Sequence, residues 1–152
     1  MLREVHRILR PGGLFVSCEL GSHPAFHPGH RMRTNLPGTT HFFHIVNEAL
    51  RGRGIQPIAP FVPELLNSSG FTNITPQQFY MPIGPWHHDQ ALGRAFRAVM
   101  CKYAEAVRPM LSRAGLGDLE LDQIIRDYIR ETMRESGMVG VYYTVHAQKR
   151  GL

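Results

Sequence analysis

The apolar positions of the chain follow helical spacing in some stretches and strand runs in others. Over LREVHRILR (2–10), Leu2, Val5, Ile8 and Leu9 share one helical face. Pro11 stops that helix and Gly12-Gly13 turn the chain. LFVSC (14–18) is then a short apolar run of the kind buried on both faces of a sheet. Helix, Pro-Gly-Gly turn and strand together read as an α/β unit. The helix starts at the first residue with no N-cap before it, so a missing upstream segment is expected. Residues 20–40 hold three prolines and three glycines and read as a long loop. HFFHIVNEALRGRG follows, with Phe42, Ile45, Val46, Ala49 and Leu50 at helical spacing and Gly54 as its stop.

VPELLNSSGF predicts a short helix from about Pro63 ended by Gly70, and FTNITPQQF (71–79) holds a β-prone stretch. MPIGPWHHD (81–89) is a rigid, proline-rich connection. The second half is helical. Leu92, Phe96, Val99, Met100, Tyr103, Val107, Met110 and Leu111 form one stripe, which Pro109 kinks or ends. That stripe is most simply core; a greasy pocket for an apolar product is the sharper alternative. Asp118 is the expected N-cap of a second helix, with Leu121, Ile124, Ile125, Tyr128 and Met133 inward. MVGVYYTVHAQK (138–149), rich in β-branched and aromatic residues, is the strongest strand. The whole of 1–152 reads as a single domain, with a loop at 20–40 and a helical part at 90–136.

Composition narrows the classes. With 43% hydrophobic residues the chain is too apolar for disorder, and it has no apolar run of about 18 residues to span a bilayer. The net charge is +5, but fifteen of the seventeen cations are scattered arginines with no basic cluster, which argues against a nucleic-acid arm. Cys18 and Cys101 lie in apolar stretches and read as reduced core residues. The three arginines near the N-terminus interrupt any signal-peptide core, so a cytoplasmic setting fits, the nucleus being the alternative.

LREVHRILRPGGLFVSCE resembles the stretch that enters the fifth strand of class I S-adenosylmethionine-dependent methyltransferases. Glu4, Arg7, Leu9, Arg10, Pro11, Gly12 and Gly13 occupy the positions of the family's helix and Pro-Gly-Gly turn. LLNSSGFTNI (65–74) is similar to the approach to the sixth strand, and MVGVYYTVHAQKR to the seventh. MPIGPW (81–86) resembles a segment of fungal methyltransferases of the secondary-metabolism regulator type. The resemblance implies the C-terminal half of such a domain: a partial Rossmann-like α/β fold keeping strands five to seven, in the order 5-7-6, with packed helices and the first half missing. The family's glycine-rich cofactor loop is not present in the sequence. S-adenosylmethionine is therefore expected only if another chain completes the site. The unpaired fifth strand implies a homodimer or a complementing partner chain.

Candidate chemistry gathers at two places. By the rule for open α/β sheets, a ligand sits outside the carboxyl ends of strands, here at Glu19 and the loop after it. Glu19 reads as a general base or a substrate contact; the alternative is a structural carboxylate paired with an arginine. His23, His27 and His30 follow within that loop, close enough to act as acid/base groups or to share a metal with Glu19, His41 or His44; the simplest reading is a solvated loop, a substrate-lining role comes next and a metal last. Trp86, His87, His88 and Asp89 follow the rigid turn; an anchoring Trp and a capping Asp89 are the simpler reading. The expected site is Glu19, His23, His27, His30 and His88 as catalytic groups, with Phe26, Tyr80, Trp86 and His87 on the substrate and no metal set. Three functions follow: methyl transfer to a small molecule, a repurposed cofactor-independent binder or cyclase/isomerase using histidine, or a non-catalytic partner of a full-length relative.

Overall fold

The computed structural model describes residues 1–30 and 35–151. Residues 31–34 of the expected loop lie outside the described residues. The elements in order are α1 (Leu2–Ile8), β1 (Leu14–Leu20), β2 (Ala25–Phe26), α2 (Pro37–Arg51), a 3-10 turn (Ala59–Phe61), α3 (Val62–Ser68), β3 (Phe71–Pro82), α4 (Gln90–Ala106), α5 (Arg108–Arg113), α6 (Asp118–Arg134) and β4 (Met138–Lys149). The class is mixed α/β with antiparallel pairing. β4 pairs antiparallel with β1 and with β2, and also pairs with β3. Among the described residues no helix is long and apolar enough to cross a membrane.

The chain divides into two compact units interleaved along the sequence. The first takes Met1–Gly21, Ile58–Phe79 and Val141–Leu152. In it β1 runs against β4 in register from Leu14↔Gln148 to Leu20↔Tyr142. Its core is Val62, Leu66, Phe71, Val145 and Ala147, and Leu2, Val5, Leu9, Phe15 and Ile74 pack against it. The turn after α1 is tied to β4: Gly12 N–H donates to the Lys149 carbonyl (3.0 Å), and Lys149 Nζ donates to the Leu9 carbonyl (2.8 Å). Gly12 is at φ 74°, where a side chain would be strained.

Two expectations fail here for one reason, that each element has a single covered face. β1 is not buried on both sides. Phe15 and Ser17 are half-buried, while Leu14, Val16, Cys18 and Leu20 face outward, Val16 being 64% exposed. In α1, Ile8 is 65% exposed instead of joining the apolar face. Cys18 is thus a surface thiol, not a core residue, and Cys101 is only partly buried. Burial pushes the Cys101 thiol above its ordinary pKa, with Arg97 opposing. Because the thiolate is the reactive form, Ellman's reagent is expected to titrate Cys18 quickly and Cys101 slowly. A fast phase that survives Cys18→Ser would contradict the outward placement.

The second unit takes Ser22–Pro57 and Tyr80–Gly140. α2 packs on α6 and α5, and α4 on α6. Phe42 of α2 stacks on Tyr128 of α6 with centroids 4.4 Å apart, and Phe43 meets the same ring edge-on at 5.5 Å. α2 begins at Pro37, earlier than its apolar spacing predicts. Leu36 supplies no side-chain cap; instead Glu131 of α6 accepts from Gly38 N–H (2.8 Å) and Thr39 N–H (2.7 Å). α4 buries Gly93, Phe96, Met100 and Ala104, a stripe narrower than expected. Leu92 and Val99 are exposed, as is Met133 on α6. Asp89 caps α4 by accepting from Leu92 N–H (3.0 Å). Asp118 does not cap α6: Gly117 holds that position and Asp118 lies in the first turn.

Candidate functional site

In the second unit an imidazole–aromatic cluster is assembled on the first residues of β4. β2 pairs there through Ala25↔Val139 and Phe26↔Met138, and His27 N–H donates to the Gly137 carbonyl (2.8 Å). His30 N–H then closes on the His27 carbonyl (2.9 Å), with Pro28 and Gly29 inside the turn. The two histidines are thereby brought to one side of this segment. From the other end of the unit, Ile83 N–H (2.8 Å) and Trp86 Nε1–H (3.1 Å) both donate to the Met138 carbonyl. Gly84 between them sits at φ 104°.

The rings meet around Trp86. Its centroid lies 5.8 Å from His27, 5.7 Å from His30 and 5.6 Å from His87. Tyr80 meets His27 edge-on at 5.4 Å, Phe26 stacks with His30 at 6.4 Å, and His88 lies 3.8 Å from His87. Most of these rings are half-buried, and Tyr80 and His88 are exposed, so the cluster keeps an open side. His27 Nδ1 accepts from Gly29 N–H (3.1 Å), so the neutral ring carries its proton on Nε2. His87 Nδ1 accepts more weakly from Asp89 N–H (3.4 Å).

Seven of the nine residues expected in the site thus lie together: Phe26, His27, His30, Tyr80, Trp86, His87 and His88. His23 does not join them among the described residues. Its Nδ1 is hydrogen-bonded to the Ser22 hydroxyl (3.0 Å), and it lines a separate hollow of about 250 Å³ with Phe43 and His44. Glu19 belongs to the first unit, where Ser17 Oγ–H donates to its carboxylate (3.0 Å). Ser17 lines a cleft of about 500 Å³ with Gln77, Gln78 and Tyr143 that the sequence did not announce. Among the described residues no three His, Cys, Asp or Glu side chains converge as a metal-binding group.

Gly137 was also missed, although it seats the cluster. It is at φ 83°, and a Cβ there would overlap the His30 ring. Gly137→Ala is therefore expected to push His30 off Trp86. The chain has one tryptophan, so its emission reads the site directly. An unchanged spectrum in Gly137→Ala would show that His30 does not rest there.

No family model matches the sequence, and no curated protein matches it. Among solved structures, the chain is similar to Haemonchus contortus phosphoethanolamine N-methyltransferase 2, solved in complex with phosphomonomethylethanolamine and S-adenosylhomocysteine. The TM-score is 0.42 at 13% identity, over 98% of this chain and 29% of that one. A likeness at that level carries neither activity nor ligand across.

Proposed function

We propose that this chain binds a flat, ring-bearing small molecule at the imidazole–aromatic cluster and moves protons on it without a bound cofactor. The observation that carries the reading is the convergence of His27, His30 and His87 on Trp86, from segments more than fifty residues apart in sequence. Trp86, Phe26 and Tyr80 offer aromatic faces and edges for a ligand ring. His27, with its proton on Nε2, is suited to donate; His30 is assigned the base. Removal of a proton at one atom and its return at another is the chemistry of an isomerase or cyclase.

The probe is 5-nitrobenzisoxazole. A base removes its C3 proton, the N–O bond breaks, and a coloured cyanonitrophenolate is released. The chain is expected to saturate with this probe and to exceed free imidazole at equal concentration. His30→Ala should lose about a hundredfold, the lower end of general-base effects. Trp86→Phe should raise KM more than it lowers kcat. A rate no better than free imidazole sinks the reading.

A second reading is favoured by the strand pairing. β4 is partnered by β1 and by β3, which supports the 5-7-6 order of a truncated methyltransferase domain over 1–152. On that reading the chain is the C-terminal half of a fungal secondary-metabolism enzyme acting in the cytoplasm on a small molecule. The residues present do not by themselves fit S-adenosylmethionine. The Gly12 and Gly13 amides are already donated to Lys149 and Arg10 carbonyls, and Glu19 Oε1 already accepts from the Ser17 hydroxyl. The cofactor would need a second chain, either a copy of this one paired through β1 or a partner with the other half. Calorimetric titration with S-adenosylmethionine, with the mass in solution measured on the same sample, tests this. Saturable binding by a dimer supports it with a second copy as the completing chain, and a folded sample that binds none removes that copy and leaves the partner carrying the other half or the cofactor-free reading.

A further inference from the structure

The second unit holds another cleft, of about 480 Å³, between the C-terminal parts of α2 and α5. That is within the range of small-molecule sites, roughly 300–1,000 Å³. Its apolar lining is Ile45, Ala49, Met110 and Leu116, and two cations, Arg53 and Arg113, border it. Glu48, the acid in the lining, is already bound by Arg51. Among the described residues neither Arg53 nor Arg113 has a carboxylate partner, whereas Arg7, Arg51, Arg108, Arg130 and Arg134 all do.

The ordinary reason for arginine here is to serve the last carbonyls of a helix. Glycine caps already do much of that at both ends. Gly54 (φ 76°) and Ile55 donate to the Arg51 and Leu50 carbonyls at 2.9 and 3.0 Å. Gly115 (φ 102°) and Leu116 donate to the Ser112 and Leu111 carbonyls at 3.0 and 3.4 Å. Two uncommitted guanidiniums therefore border an apolar floor. We infer that this cleft binds a small amphiphilic anion, a carboxylate or phosphate head held by Arg53 and Arg113 with its apolar body on Ile45, Ala49 and Met110. Two helix C-termini make the site unfavourable for an anion in the absence of those arginines, so head-group recognition should depend on them almost entirely.

Calorimetric titration of the whole chain with decanoate, decyl phosphate and decanol, each below its micellar concentration, tests this. Decanoate or decyl phosphate should bind saturably and at least tenfold more tightly than decanol, and the tighter of the two identifies the head. Arg53→Gln with Arg113→Gln should remove that preference. Arg94→Gln, on the exposed side of α4, should leave Kd within twofold. Ala49→Phe, checked for folding by circular dichroism, should block all three probes. Equal binding of decanol and decanoate would overturn the inference, as would binding only to phosphatidylglycerol vesicles or none at all.

Discussion

Gly93→Ala is expected to lower stability by about 1–3 kcal/mol, although alanine is the better helix former by about 1 kcal/mol. Gly93 lies one turn into α4 and is buried. A Cβ there would overlap the Gly84 carbonyl. The two backbones are bonded directly, Gly84 N–H donating to the Gly93 carbonyl at 2.9 Å. Neither side can yield cheaply, because Gly84 is held at φ 104°. The helix must back away, losing a buried hydrogen bond worth about 1 kcal/mol and adding strain of about 1–3 kcal/mol. The helix-propensity gain offsets only part of this. For a chain of this size that means a fall in Tm of a few degrees, roughly 2–4 °C per kcal/mol. Gly52→Ala is the control: Gly52 has right-handed helical backbone (φ −58°), and a Cβ there would make only ordinary contacts. It should be neutral or gain about 0.4–1 kcal/mol. Urea midpoints that rank the two variants in the opposite order would show that α4 does not rest on the Gly84 turn.

That contact illustrates what could be read in advance. The helices of the second half were legible because their apolar residues repeat at 3.6 over four or more turns, and Pro109 marks the break between α4 and α5. β4 was legible from its valines and tyrosines. Burial was less so. Leu14, Val16 and Leu20 are as apolar as a core strand, but exposure depends on what covers a face, and only the Phe15 side is covered. The start of α2 was hidden because its cap comes from Glu131, more than ninety residues later. In the candidate site, the unusual histidines and the lone Trp86 drew notice by residue type. Their meeting depends on the Phe26↔Met138 register and on Gly137 beneath His30, and no local pattern encodes either. Arg53 and Arg113 are not marked out among fifteen arginines in the sequence, because what distinguishes them is their place at the rim of one apolar cleft, which only the packing of α2 and α5 creates.

Phe42→Ala is expected to have the largest effect on stability, about 3–5 kcal/mol, the usual cost of emptying a buried aromatic site. Phe42 and Tyr128 are both fully buried and stacked nearly parallel, with 7° between the rings. Phe43 and Tyr103 close the group edge-on to Phe42, so little can collapse into the gap. Tyr128 gives the same core a pH signature. Burial pushes its phenol far above the ordinary tyrosine range, the Thr132 hydroxyl opposing only in part. Burial raises Tyr103 as well. The folded state therefore holds these protons where the unfolded chain releases them, near pH 10. Their stabilisation is complete below that pH and is lost as pH rises beyond it, at up to about 1.4 kcal/mol per pH unit for each group. Tyr128→Phe keeps the stacked ring, removes the titrating hydroxyl and gives up its long contact to the Met100 carbonyl (3.5 Å). Its urea midpoint should lie near wild type at pH 8 and fall less steeply between pH 10 and 11. An alkaline slope identical to wild type would mean that Tyr128 meets solvent and that α2 and α6 are not packed through this pair.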